Sequence, residues 1–232
     1  FIYSTLAKAD PGCSADCENT PGSYQDNSKD SDFPFEKYIV DYWESHQYTA
    51  GDEDIRIDAW WIPIDRNGAG EAPVIILVHG LRSSKYDSDI LLVAAILNQA
   101  GFNTLLFDQR DHGMSTIEDG KISIGTKEYR DVIASVDWLV NTQSINPKSI
   151  GIYGLSMGAG TAAIAFGLDD RIQAAILDSG FSDLYTIVEE ELEREGYPPW
   201  LAKGAIWSAF IFGNETLLEP SPKLAFKNHD DR

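Results

Sequence analysis

Cysteine is nearly absent from this 232-residue sequence: Cys13 and Cys17 are the only two. They stand in the polar, turn-rich stretch Asp10-Pro11-Gly12-Cys13-Ser14-Ala15-Asp16-Cys17, with no histidine nearby, which makes a poor zinc site. Asp10, Asp16 and Glu18 lack the spacing of a calcium loop. A local disulfide in an oxidising compartment and two free thiols in a reducing one both fit the pair. Basic residues are also scarce, 18 Lys and Arg against 37 Asp and Glu, for a net charge of -19. A surface this acidic opposes non-specific binding to nucleic acid and to anionic lipid. No apolar run reaches the length of a membrane span, and no signal peptide is recognisable. The chain begins at Phe1 rather than Met, which fits removal of a leader or anchor, so cytoplasmic and extracytoplasmic locations both remain open. No glycine pattern spells a phosphate loop or a dinucleotide fingerprint, and neither a metal nor any other cofactor is expected.

What the sequence does contain is enough apolar material, 43% of residues, for a sizeable core. Residues 10 to 34 read as a polar arm. Strand patterns near Tyr42–Thr49 and Ile55–Ile64 predict an antiparallel edge hairpin. Beyond Gly70 the character changes. Val74-Ile75-Ile76-Leu77-Val78 is continuous and β-branched, as strands buried on both faces are. Further strands are predicted at Phe102–Phe107, Ser149–Tyr153 and Gln173–Leu177. Helical patterns separate them near Asp89–Ala100, Lys127–Thr142 and Met157–Phe166. This alternation predicts an α/β fold with a mostly parallel central sheet flanked by helices. Leu184–Arg194 also reads as helix. An aromatic-rich apolar stretch follows Pro198 and Pro199 and includes Trp200, Trp207 and Phe210.

Gly154-Leu155-Ser156-Met157-Gly158 sits between a buried strand and a small-residue helix. A serine in that setting is held on a sharp turn with its hydroxyl exposed, the arrangement of a nucleophile. Gly154 and Gly158 remove side chains that would obstruct the turn. The backbone N–H of Met157, at the helix N-terminus, is a natural oxyanion donor. Leu81, in Val78-His79-Gly80-Leu81 after the first parallel strand, offers a second. His79 and Gly80 are expected to support that loop. Asp108 and Arg110 are expected to brace the next one, Asp108-Gln109-Arg110-Asp111-His112-Gly113-Met114-Ser115. His112 is a candidate base, although it precedes the nucleophile and its loop offers it a structural role.

These three motifs, with Asp178-Ser179-Gly180-Phe181-Ser182-Asp183-Leu184, resemble the α/β-hydrolase superfamily over about residues 40 to 225. The branch that they resemble carries a cap and includes serine aminopeptidases and monoglyceride lipases. The resemblance implies an arm at 1–37, a core at 38–182, a helical cap at 183–220, and the start of the C-terminal part of the core at 221–232. It implies the chain order Ser, then Asp or Glu, then His, with roughly 50 to 80 residues and two further strands beyond Arg232. Within the sequence, Asp178 is a candidate acid or a loop anchor, and His229 is a candidate base in a polar tail.

The activity so implied is ester hydrolysis through an acyl-enzyme on Ser156. The expected partner is a small-molecule ester with an apolar acyl group. Alternatives are a peptidase or amidase of the same fold, or a non-catalytic binding domain. Oligomeric state is not legible from the sequence.

Overall fold

The β-branched runs become the middle of a six-stranded sheet in the computed structural model, which describes residues 8–9, 18–25, 33–51, 54–66, 71–194, 196–213 and 219–227. Cys13, Cys17 and His229 lie outside the described residues. The strands are β1 (Glu44–Thr49), β2 (Arg56–Ile62), β3 (Val74–Val78), β4 (Asn103–Phe107), β5 (Ile150–Leu155) and β6 (Ile172–Asp178). Their order is β1-β2-β4-β3-β5-β6. β1 pairs antiparallel with β2, and β2 with β4, while β4, β3, β5 and β6 run parallel. The predicted edge hairpin and mostly parallel sheet are both present. After β4 the chain crosses back over β3 to form β5. The carboxyl ends of β3 and β5 therefore lie side by side where the strand order reverses, the place at which open sheets of this kind bind ligands.

Alternation along the strands builds one core on each face. Leu77, Leu106, Trp60 and Tyr153 face α1 (Ser88–Gln99), packing on Ile90, Leu91, Ala94 and Ala95. Ile76, Val78, Leu105, Phe107 and Ile152 face the other way. There they meet Val132, Val136 and Leu139 of α2 (Tyr129–Asn141), and Ala162 and Ala165 of α3 (Met157–Leu168). Each fully buried Leu, Ile or Val contributes about 1.5–3 kcal/mol. Helix α2 starts two residues later than its periodicity predicts. The Glu128 carboxylate instead accepts the N–H groups of Ser123 and Gly125, at 2.8 and 2.9 Å, and fixes the preceding turn.

Helices α4 (Leu184–Arg194) and α5 (Leu201–Gly213) pack on each other rather than on the sheet. Leu184, Val188, Leu192 and Ala202 are buried between them, resting on Ile124 and Phe181. Trp200 and Trp207 are left 73% and 66% exposed. Beyond them, Pro222–Lys227 forms a short helix, α6. Pro suits the first helical position, and Ser221 Oγ accepts the N–H of Leu224 at 3.3 Å. Part of the N-terminal arm packs on the body: Asn19 Nδ2 donates to Tyr86 O at 3.0 Å, and Tyr24 Oη to Tyr38 O at 2.6 Å. Among the described residues no helix is long and apolar enough to cross a membrane.

Candidate active site

Between the end of β5 at Leu155 and the start of α3 at Met157 there is one residue, Ser156. It makes the whole turn, at φ 55° and ψ -118°. A side chain in that region costs about 1–3 kcal/mol and persists only where its surroundings hold it. Here the Ser156 N–H donates to Asp178 O at 2.8 Å, and its own carbonyl accepts from Ala159 N–H at 3.0 Å. The strand–helix turn also needs its two glycines. A Cβ on Gly154 would strike the backbone of Gly158, and one on Gly158 would strike the carbonyls of Val78 and His79. Ser156 is exposed, and its hydroxyl has no hydrogen-bond partner among the described residues.

The β3 exit lies against this turn. A Cβ on Gly80 would stand 3.4 Å from Ser156 Cβ and 4.0 Å from its Oγ. Leu81 follows, 42% exposed. The N–H groups of Leu81 and Met157 are not taken up by any other described residue. The structure thus brings Ser156, Gly80, Leu81 and Met157 to one place, with two free backbone donors beside an exposed hydroxyl.

His79 is fully buried. Its Nδ1 donates to Gly80 O at 2.9 Å, and its Nε2 accepts from Gln109 N–H at 3.2 Å, which assigns the tautomer. Burial, followed by the neighbouring His112, holds its pKa well below the usual imidazole range. His112 is also buried, its ring 5.0 Å from that of His79 between centroids, with Nδ1 on Arg110 O at 2.9 Å. Its Nε2 has no hydrogen-bond partner among the described residues. Neither ring hydrogen-bonds Ser156, nor does His46, which pairs with Glu44 on β1.

Two buried ion pairs hold the loop after β4. Asp108 accepts from Lys85 Nζ at 2.6 Å, Lys85 N–H at 2.7 Å and Met114 N–H at 2.8 Å. The same ammonium reaches Asp58 at 2.8 Å and lies 4.4 Å from the centroid of the Tyr86 ring. Burial draws the Lys85 pKa down, but the two carboxylates outweigh it and keep the amine an ammonium. Arg110 makes a bidentate bond to Asp131 on α2, Nη2 donating to Oδ1 at 2.8 Å and Nε to Oδ2 at 3.2 Å. Burial pushes the Asp131 carboxyl up to about 6, against the pull of Arg110. Sequence reasoning missed Lys85 and Asp131. Each lies more than twenty residues from its partner, and no local pattern marks it.

It also missed Tyr153, whose Oη donates to Asp178 Oδ2 at 2.8 Å. Asp178 Oδ1 accepts from Ser179 Oγ at 2.9 Å. These two bonds hold the Asp178 carboxyl below its usual range. An open cleft of about 570 Å³, lined by Pro147, Lys148, Asp170, Arg171 and Gln173, lies at the amino ends of β5 and β6, the opposite end from Ser156. Among the described residues no three His, Cys, Asp or Glu side chains gather as a metal site.

Residues 73–226 match the family described as alpha/beta hydrolase fold. An uncharacterised 31.7 kDa protein of Escherichia coli, from the traX-finO intergenic region, is 30% identical over 124 residues, 53% of this chain and 42% of its own length. The 2,6-dihydropseudooxynicotine hydrolase of Paenarthrobacter nicotinovorans is 30% identical over 131 residues, 56% of this chain and 34% of its own. The solved Pyrococcus furiosus esterase Pf2001 superposes with a TM-score of 0.59 at 25% identity, covering 82% of this chain and 65% of the esterase. The match to the E. coli protein thus spans less than half of that relative.

Proposed function

Because this chain belongs to the alpha/beta hydrolase fold family, we propose that it is a serine hydrolase that cleaves carboxylic esters with Ser156 as its nucleophile. The observation that carries this reading is the exposed Ser156 hydroxyl at φ 55°, between β5 and α3. Strain of this kind at a solvent-facing serine makes sense where the hydroxyl must be presented to a substrate. The similarity to an esterase supports the same class.

In this reading a histidine base takes the Ser156 proton, and Oγ adds to the ester carbonyl. The resulting oxyanion lies between the N–H groups of Met157 and Leu81, donors that need no reorganisation as charge develops. The C–O bond to the alcohol breaks, and the base returns its proton to the departing oxygen. Water then attacks the acyl-enzyme by the same route and frees the acid. No described histidine hydrogen-bonds Ser156: His79 and His112 are buried with Nδ1 on backbone carbonyls, and His46 pairs with Glu44. Helices α4 and α5 act as a cap whose exposed Trp200 and Trp207 favour an apolar acyl group.

Hydrolysis of short p-nitrophenyl esters, compared with aminoacyl amides, tests the proposal. Turnover of the esters that falls by at least about 10³-fold in Ser156→Ala supports it. Preference for the amides would make the protein a peptidase or amidase, and unchanged ester turnover in Ser156→Ala would remove the nucleophile assignment altogether.

A further inference from the structure

We infer that Tyr153 is a positioning residue for Ser156 and acts through Asp178. The inference rests on the reading of Ser156 as nucleophile and concerns what holds that residue in its turn.

Ser156 is strained, and the clamp on its N–H is the carbonyl of Asp178, at 2.8 Å. The position of that carbonyl depends on the end of β6. Among the described residues β6 pairs with β5 alone, and its last three residues are exposed. The chain then reverses at once through Ser179, a second side chain at positive φ, 54°. A strand end entering a strained turn holds a neighbouring strained residue only if its own position is fixed.

The fixing comes from Tyr153. In the register Tyr153 stands opposite Ile176, and Leu155 opposite Asp178, so the tyrosine lies two residues back along β5 from the level of Asp178. Its ring is buried against the α1 face, where phenylalanine would fill the same space. The hydroxyl is what the position adds, and a buried phenol needs a partner. That partner is Asp178 Oδ2, at 2.8 Å. Ser179 Oγ holds Oδ1 at 2.9 Å, and Ser156 N–H holds the main-chain oxygen. Three donors from three sides thus fix one aspartate, and one of the three is the nucleophile's own backbone.

In this role Asp178 anchors the turn, and no described histidine hydrogen-bonds its carboxylate.

The test is a double-mutant cycle on Tyr153→Phe and Asp178→Asn, read as the rate at which a fluorophosphonate labels Ser156 and as kcat and KM on a p-nitrophenyl ester. Wild type must first be labelled at Ser156. If it is not, the proposed function fails and the inference falls with it. With wild type labelled, Tyr153→Phe is expected to slow labelling and lower kcat by about tenfold, as a small misplacement of a reacting group does, with KM within twofold. The double variant is expected to be no slower than the slower single one, because the tyrosine acts through the aspartate. Ser179→Ala, at an exposed position, is expected to give a smaller loss in the same direction. Wild-type rates in Tyr153→Phe, or losses that multiply in the double variant, would overturn the inference. So would a loss of about 10⁴-fold in Asp178→Asn, the size expected of a triad acid.

Discussion

The backbone N–H of Gln109, just beyond β4, donates to Nε2 of His79, just beyond β3, at 3.2 Å. With Nδ1 turned to Gly80 O, both nitrogens of His79 are engaged, and burial keeps the ring neutral. Histidine here ties two strand exits together. In His79→Phe, Gln109 N–H loses a buried acceptor, a loss of about 1–3 kcal/mol that urea melts would record. Stability equal to wild type would contradict the bond's structural role.

His112 is the histidine of the next loop, and its Nε2 has no hydrogen-bond partner among the described residues. His112→Phe is expected to keep ester turnover within about tenfold of wild type, against the 10⁴-fold or greater loss that removal of a general base brings. A loss of that greater size would make His112 the base.

Arg110 and Asp131 form a buried bidentate pair. Asp131→Asn leaves the buried guanidinium with the weaker, partly exposed Glu118 pair at 3.3 Å, at a cost of about 3 kcal/mol by denaturant melts. Arg110→Met with Asp131→Leu, which removes both charges, is expected to cost clearly less. Equal losses would show that the pairing itself is not what matters.

Asp178 gives a pH dependence whose sign follows from its bonds. Tyr153 Oη first, and then Ser179 Oγ, hold its carboxyl below the usual value. A depressed carboxylate stabilises the fold above its unfolded-state pKa, and that contribution is lost as pH falls through the lower folded-state value. Tyr153→Phe removes the first cause, so the titration of Asp178, followed by NMR on ¹³C-labelled aspartate, moves upward in pH. An unmoved midpoint would contradict the bond.

The sheet was legible in the sequence wherever burial on both faces imposes a continuous apolar run, as in Val74–Val78, which emerged with the predicted bounds. The turn at Ser156 was legible because its glycines are forced: a side chain on Gly158 meets backbone, which cannot yield. Partners brought together by the fold were not. Nothing near Lys85 announces a buried ammonium, since lysine is ordinarily a surface residue and Asp108 is twenty-three positions away. The tyrosine in Ile152-Tyr153-Gly154 reads as one more apolar strand residue until its hydroxyl is seen on Asp178.

Reaction of the protein with a fluorophosphonate, followed by mass spectrometry of the modified peptide, tests the central claim most directly. The account predicts a single adduct on Ser156, lost in Ser156→Ala and suppressed by a competing ester. Folded protein that takes up no label, or that carries it on another residue, would contradict it.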